Sequence, residues 1–277
     1  MTATCPPPLR SEILTTLGII DCHVIHAPTD RPEISYRVDM SSTSTKARKK
    51  LEEAVKAQMK KAKDDPSFRG LVYCRSTKEV DHIAKKLEVD AFHAGRPMEE
   101  RKTSFQDWVE GKKKFLVCSS LMGCGIDVEG VTAVFHYKTP WSILDFVQES
   151  GRAGRGGKES LSVIYAAEDD EEAEKVDDGE MYGKKTMREW VFQTTVCRRV
   201  TLSSFLDSGR ITCTLLRGAA LCDVCLANSN APHPRRLVEF SGMKITSEPL
   251  GRMAISSVPP ISLDYELSRA SLDEDAG

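Results

Sequence analysis

The chain has 277 residues, of which 40% are hydrophobic and 29% charged, and a formal net charge of −2 at pH 7. That length accommodates one or two domains with a sizeable core, and the composition is ordinary for a soluble globular protein. The near-neutral balance excludes a global pull towards nucleic acid or membrane, so such binding must come from local patches. No apolar run approaches the ~18 residues needed to span a bilayer, and residues 1–8 lack the basic and apolar regions of a signal peptide. Nine cysteines without a secretory signal imply reduced thiols serving as metal ligands or core residues, in an intracellular protein.

Residues 9–17 have helical apolar spacing, with Gly18 as a stop. Two short apolar runs follow at 23–27 and 34–38, split by a Pro28–Pro32 turn. Residues 43–63 read as a Lys-rich helix with Leu51, Val55 and Met59 on one face. Its positive side is either a phosphate-facing surface or a solvated helix face. From Gly70 the pattern alternates strand and helix. The unbroken run 71–74 suits a strand covered on both faces, and Ser76-Thr77-Lys78-Glu79 is a capping box opening a helix to about Leu87. A strand is predicted at 89–93, and a helix from Pro97 to Gly111 turns Phe105 and Trp108 inward. Further strands are predicted at 114–118, 133–136 and 161–166. This alternation predicts an α/β fold with an open, doubly wound parallel sheet, whose ligands sit at the carboxyl ends of the strands. His93-Ala94-Gly95, Ser119-Ser120 and the turn near residue 152 fall at such ends or in the connections beyond them. An acidic stretch at 168–180, a helix at 184–195 and a cysteine-bearing segment at 197–225 come next. Residues 228–277 have weak periodicity, scattered Ser, Pro and Gly and an acidic end, and are expected to be disordered.

The segment 148–157 reads Gln-Glu-Ser-Gly-Arg-Ala-Gly-Arg-Gly-Gly. Arg152 and Arg155 are three residues apart and would share one face of a helical turn. The flanking glycines let backbone approach a ligand closely, and guanidinium groups grip phosphate oxygens. A helix beginning after Pro140 would aim both arginines at one polyanion. The structural alternative for Arg152 is an internal salt bridge. Cys197, Cys213, Cys222 and Cys225 form the second constellation, ending in Cys-Asp-Val-Cys. Such a pair presents two thiolates to one metal, and two more thiols close a tetrahedron around zinc. A redox pair would belong at a helix start beside a strand, whereas this pair is expected in a short loop. Cys5, Cys22, Cys74, Cys118 and Cys124 read as small core or loop residues.

In order, these segments resemble the second RecA-like domain of a RecQ-type superfamily 2 DNA helicase followed by that family's zinc-binding segment. Gly70-Leu-Val-Tyr-Cys-Arg-Ser-Thr-Lys resembles the strand opening that domain. Phe92-His93-Ala94-Gly95 with Arg101 resembles the motif lying against the DNA strand, and residues 119–127 the motif linking DNA to the nucleotide site. Residues 148–157 resemble the last helicase motif; Asp30-Arg31-Pro32 and Thr2-Ala3-Thr4 resemble the interdomain segment and the coupling motif before it. The fifth motif departs from the family pattern, with Ser119-Ser120 for Ala-Thr and Cys124 for Met. The resemblance implies DNA contacts at His93, Ala94, Gly95, Arg101, Ser119 and Ser120. It implies an arginine finger at Arg155, with Arg152 and Gln148 positioning the turn or reaching phosphates, and Gly125, Asp127, Gly151 and Gly154 beside the nucleotide. Without the family match, His93 reads as a hydrogen-bonded loop residue.

The sequence contains no Gly-x-x-x-x-Gly-Lys-Ser/Thr loop; Gly157-Lys158 is followed by Glu159, and Asp170-Glu171-Glu172-Ala173 lacks the Asp-Glu-Ala-His order. The expectation is therefore the C-terminal half of an ATP-dependent 3′-to-5′ DNA helicase, acting on single strands and duplex junctions. ATP with Mg²⁺ would be shared with a first lobe, zinc would be bound by the cysteines, and no membrane partner is foreseen. The location would be nuclear in a eukaryote and cytoplasmic otherwise. The expected units are residues 1–40 (first-domain remnant and linker), 41–180 (second RecA-like domain), 181–227 (zinc-binding subdomain) and 228–277 (tail). A zinc-stabilised DNA-binding or interaction module without catalysis is the alternative.

Overall fold

The computed structural model describes residues 4–20, 22–25, 27–120, 128–170 and 182–229. Gly125, Asp127, Cys124, Thr2, Ala3, most of the acidic stretch and nearly all of the expected tail lie outside them. Six strands form one wholly parallel sheet: β1 (Ile34–Ser41), β2 (Arg69–Cys74), β3 (Asp90–Phe92), β4 (Phe115–Cys118), β5 (Val131–Tyr137) and β6 (Ser160–Ala167), in the order β1-β6-β5-β2-β4-β3. Every residue of β2 is buried, as its unbroken apolar sequence requires of a strand covered on both faces.

Helices α2 (Ser44–Lys61) and α3 (Thr77–Leu87) cover one face, packing Ala47, Leu51, Val55, Val80, Ile83 and Leu87 against Val72, Phe115 and Phe135. The Ser76 hydroxyl accepts from the Glu79 amide (3.3 Å) while Glu79 Oε2 accepts from the Ser76 amide (3.1 Å), closing the capping box that starts α3. The opposite face carries α4 (Met98–Val109), α5 (Ile143–Ser150), α6 (Lys184–Phe192) and α7 (Arg198–Asp207), whose Trp108, Phe146, Trp190 and Leu202 pack with Leu71, Val134 and Ile164. Cys197, Cys213, Cys222 and Val224 belong to that same cluster, so the cysteine-bearing segment shares the core of the sheet. A last helix, α8 (Asp223–Ser229), follows it.

Several sequence expectations need adjustment. Helix α1 (Pro7–Thr16) forms but buries none of its residues. The apolar run at 23–27 makes no strand; its described residues are irregular and mostly exposed. Pro97 is the residue before α4, fixed in an extended conformation, and not its first turn. Helix α6 stops at Phe192, because the Gln193 side chain accepts from the Thr195 and Val196 amides (3.1 and 2.8 Å) and folds the chain into a turn.

Gly70 sits where β2 passes the buried Phe115 ring, and a Cβ at that position would overlap the ring carbons. A rigid aromatic in a filled core has nowhere to go. We therefore expect Gly70→Ala to lower stability by about 1–3 kcal/mol, read as a lower urea midpoint with an unchanged slope.

Candidate functional site

Helix α5 carries the arginine turn. Its start is fixed by Ser142, whose hydroxyl accepts from the Asp145 amide (3.1 Å). Its buried face is Ile143, Leu144, Phe146, Glu149 and Ser150, which leaves Gln148 exposed. Glu149 is buried against His136 of β5 (Nε2 to Oε2, 3.0 Å), and the His136 ring stacks on Tyr73 at 5.4 Å. A buried carboxylate that needs a partner thus locks the rotation of the helix.

The strands run parallel, so α5 runs back along the sheet, away from their carboxyl ends. The Gly154 amide donates to the Val131 carbonyl at the start of β5 (3.0 Å). The structure therefore separates what the sequence reading grouped together. His93–Gly95 and Ser119–Ser120 follow the carboxyl ends of β3 and β4, whereas residues 151–157 sit at the opposite edge.

The turn is held from the linker before β1. Arg31 Nη1 donates to the Gly151 carbonyl (2.9 Å), Nη2 to the Ala153 carbonyl (2.7 Å) and Nε to Glu33 (2.6 Å). A planar guanidinium here satisfies carbonyls left over at a helix C-terminus, where positive charge is favoured. Gly154 has φ 74°, and a Cβ there would overlap Glu33. Gly156 and Gly157 also have positive φ, with open space around them. Arg152 lies near the Tyr73 phenol, which burial pushes well above its ordinary pKa while Arg152 opposes the shift. Arg152 and Arg155 are both half-buried.

On the carboxyl edge, His93 is buried and faces inward. Its Nε2 meets Asp81 (3.1 Å), and its Nδ1 accepts from the Gly95 amide (3.2 Å). Arg96 also donates to Asp81 (2.6 Å), and these hydrogen bonds hold the Asp81 carboxyl below its ordinary range. Residue 93 thus organises the loop, while Ala94, Gly95 and Ser120 are exposed and Ser119 and Arg101 half-buried.

The four cysteines converge: their sulfurs all lie within 4.8 Å of one another, with Cys197, Cys213 and Cys222 buried and Cys225 half-buried. Cys197 and Cys213 sulfurs are 3.6 Å apart, and those of Cys197 and Cys222 3.9 Å. A tetrahedron of thiolates at ~2.3 Å from a zinc ion has edges of ~3.8 Å, so these residues fit a metal. Amides of Cys213, Cys222 and Cys225 donate to the sulfurs of Cys197, Cys213 and Cys222, each at 3.4 Å. Hydrogen bonds from Cys213 and Cys222 hold the Cys197 thiol low, and the same sharing pushes the Cys213 thiol up. Burial, with the neighbouring sulfurs, pushes Cys225 up to about 12. Contrary to the sequence expectation, the Cys-Asp-Val-Cys pair is not in a loop: Cys222 immediately precedes α8 and Cys225 lies within it. What distinguishes it from a redox pair is the two further sulfurs beside it.

Two residues bind this centre to β1 and the linker before it. Arg199, 1% exposed, donates to the carbonyls of Arg31 (2.9 Å), Pro32 (3.2 Å), Ile34 (2.7 Å) and Ala220 (3.4 Å). Arg198 makes a forked pair with Asp223 (2.9 and 3.0 Å) and donates to the Trp190 carbonyl, while Asp223 accepts from the Val38 amide (2.9 Å). Arg31 and Arg199 carry no sequence signal for these roles, because the turn and linker carbonyls they meet are more than a hundred residues away along the chain.

Residues 36–157 match the helicase conserved C-terminal domain. The fold agrees with a Saccharomyces cerevisiae Dbp5 variant solved with RNA and ADP BeF3, at a TM-score of 0.53 and 16% identity over 69% of this chain and 48% of that one. The class is thus a RecA-like helicase domain. The chain is 26% identical over 252 residues to the RecQ-like DNA helicase BLM of Xenopus laevis, covering 83% of this chain. It is 30% identical over 170 residues to the ATP-dependent DNA helicase RecQ of Haemophilus influenzae, covering 60% of this chain. Residues 36–157 thus match a helicase domain, and over most of its length the chain is similar to the C-terminal part of RecQ-type superfamily 2 helicases. It spans 18% of the length of the first relative and 26% of the second. Among the described residues, no helix is long and apolar enough to cross a membrane.

If Arg31 fixes the turn, its removal should loosen residues 151–154 locally. We expect Arg31→Ala to cost about 1–3 kcal/mol there, seen as roughly 5- to 150-fold loss of hydrogen-exchange protection at the Ala153 and Gly154 amides. Lysine should rescue little, since a single nitrogen cannot match the planar guanidinium fork that sets separate nitrogens on the two carbonyls.

Proposed function

We propose that this chain acts as the second motor lobe of an ATP-dependent 3′-to-5′ DNA helicase of RecQ type. The observation that carries the reading is the arginine turn, whose backbone is fixed by Arg31 from a separate segment. A rigid turn with two guanidiniums suits phosphoryl transfer, where catalysis is positioning and charge stabilisation. ATP with Mg²⁺ would supply the transferable phosphoryl group and its neutralising metal, held mainly by a first lobe. Arg155 would complete that pocket as the arginine finger, while Arg152 and Gln148 orient the turn. Gly151 and Gly154 would keep its backbone close to the nucleotide, with Gly125 and Asp127 assigned there by sequence alone. DNA would run along the opposite edge of the sheet, past Ala94, Gly95, Arg101, Ser119 and Ser120, with His93 shaping the loop. The separation of the two edges supports a division of labour between them. A nuclear location in a eukaryote, or a cytoplasmic one otherwise, goes with this reading.

The metal at Cys197, Cys213, Cys222 and Cys225 would be a structural zinc, holding together the segment from which Arg198 and Arg199 reach the sheet. That the cluster lies within the core of the sheet also favours a second reading, a zinc-stabilised DNA-binding module that does not hydrolyse ATP.

Turnover separates the two readings. The 277 residues contain no phosphate-cradling loop, so we expect this chain alone to show no DNA-stimulated ATP hydrolysis; clear turnover would overturn that assignment. With a first RecQ lobe added in trans or by fusion, we expect hydrolysis, and Arg155→Ala should lower it by ~10³–10⁵ while nucleotide binding persists. Full turnover in that variant would remove Arg155 from its role, and no turnover with any added lobe would favour the non-catalytic module.

For the metal, elemental analysis of the purified chain should find about one zinc per chain. Cys222→Ser combined with Cys225→Ser should abolish binding and lower the melting temperature. An unchanged melting temperature with no bound metal would argue against a structural site.

A further inference from the structure

The sheet changes winding direction between β5 and β2. From β2 the chain moves towards β3 through α3 on one face, and from β5 it moves to β6 through α5 on the other. The two connections diverge at the carboxyl ends of these strands, the place where open α/β sheets bind ligands. The crevice there is lined by Tyr73, Arg75, Ser120, Lys138, Pro140 and Trp141. Its volume of about 20 Å³ is too small for anything beyond a water, so a ligand must lie over it.

Trp141 forms the rim. It is 50% exposed, whereas the other two tryptophans, Trp108 and Trp190, are 1% and 0% exposed. The Arg75 guanidinium lies 4.6 Å from the centroid of the Trp141 ring, so one face of the indole is clamped by a cation. The acidic groups around the crevice are already engaged. Glu79 pairs with Lys138 (3.0 Å), Glu149 with His136, and Asp170 accepts from the Ala167 amide and the Ser44 hydroxyl. Glu79 is thereby neutralised, and Glu149 and Asp170 are buried, so none of the three is a free surface carboxylate facing a polyanion.

We propose that Trp141 is a stacking platform for a base of single-stranded nucleic acid, held in place by Arg75. This rests on the nucleic-acid reading given to the carboxyl edge, to which Ser120 belongs. An aromatic fixed before binding loses little side-chain entropy when a base stacks on it, and stacking tolerates any base because each has a π face. The cation beneath the indole lies on the side away from the ligand and also favours a phosphate backbone passing nearby.

The full chain should be titrated with a fluorescently labelled thymidine oligonucleotide, reading anisotropy and, with unlabelled oligonucleotide, tryptophan emission. Since two tryptophans are buried, acrylamide quenching reports on Trp141. We expect bound oligonucleotide to quench emission and shield the indole from acrylamide. Trp141→Phe should keep most of the affinity and lose the signal, and Trp141→Ala should weaken binding about 5- to 150-fold. Binding seen by anisotropy with unchanged emission, or an alanine variant that binds like the parent, would overturn the platform while leaving the nucleic-acid edge intact; a protein partner would then be the occupant to seek. No binding by the parent chain would overturn both.

Discussion

Everything in this domain depends on one buried cation. Arg199 lies in the core, and burying a guanidinium costs several kcal/mol unless its donors are satisfied. Here the two terminal nitrogens meet the carbonyls of Arg31, Pro32 and Ile34, while Nε is buried without a hydrogen bond, and Tyr36 lies beneath the guanidinium carbon at 5.2 Å. Burial raises the Tyr36 phenol to about 12, opposed by Arg199, so the ring stays neutral beside the cation. The effect on the backbone matters more than the energy of any single bond. Three carbonyls of an irregular segment are drawn to one fixed point, which turns a linker into a rigid edge. From that edge Arg31 reaches the carbonyls of the arginine turn.

The direction of the sheet then sets what each edge can do. Because the strands are parallel, each connecting helix must run antiparallel to them, and α5 delivers its C-terminus to the amino edge. The residues that directly follow β2, β3, β4 and β5 stay at the carboxyl edge. Two sets of residues separated only by α5 in sequence thus end at opposite edges of the sheet. Trp141 and Arg155 are 14 residues apart, yet α5 is a strut between them. The His136–Glu149 pair fixes that strut to β5, so a displacement at one edge meets a stiff element and not a hinge.

Much of the fold was legible because its signals are local. The buried run of β2, the capping box at Ser76 and the 3.6-residue spacing of Leu51 and Val55 each follow from chain neighbours. The four cysteines were legible for a different reason: thiol chemistry limits what such a group can do. What could not be read was direction and long-range partnership. Nothing in residues 148–157 says which edge receives them, since that depends on the parallel sheet taken as a whole. His93 sits beside two small exposed residues in a loop, and only the fold supplies Asp81 from α3 and turns its ring inward. The Cys222–Cys225 pair looked like a loop because seven residues of α8 are too few to show periodicity.

The cysteine centre belongs to the same mechanical unit. Arg198 and Arg199 follow Cys197 directly, and Asp223 follows Cys222, so two sulfur ligands are chain neighbours of the three charged residues that grip β1 and its linker. The forked pair between Arg198 and Asp223 ties the two cysteine-bearing strands of chain together beside the sulfurs. A short segment with few regular elements could not hold two adjacent buried guanidiniums in register by packing alone, since each must meet its acceptors within a few tenths of an ångström. Four sulfurs converging within 4.8 Å suit a metal, and a metal held there would supply the missing constraint, passed through Arg199 and Arg31 to the turn. With a metal bound, the centre that looks most remote from the arginines in sequence would be the foundation on which their geometry rests.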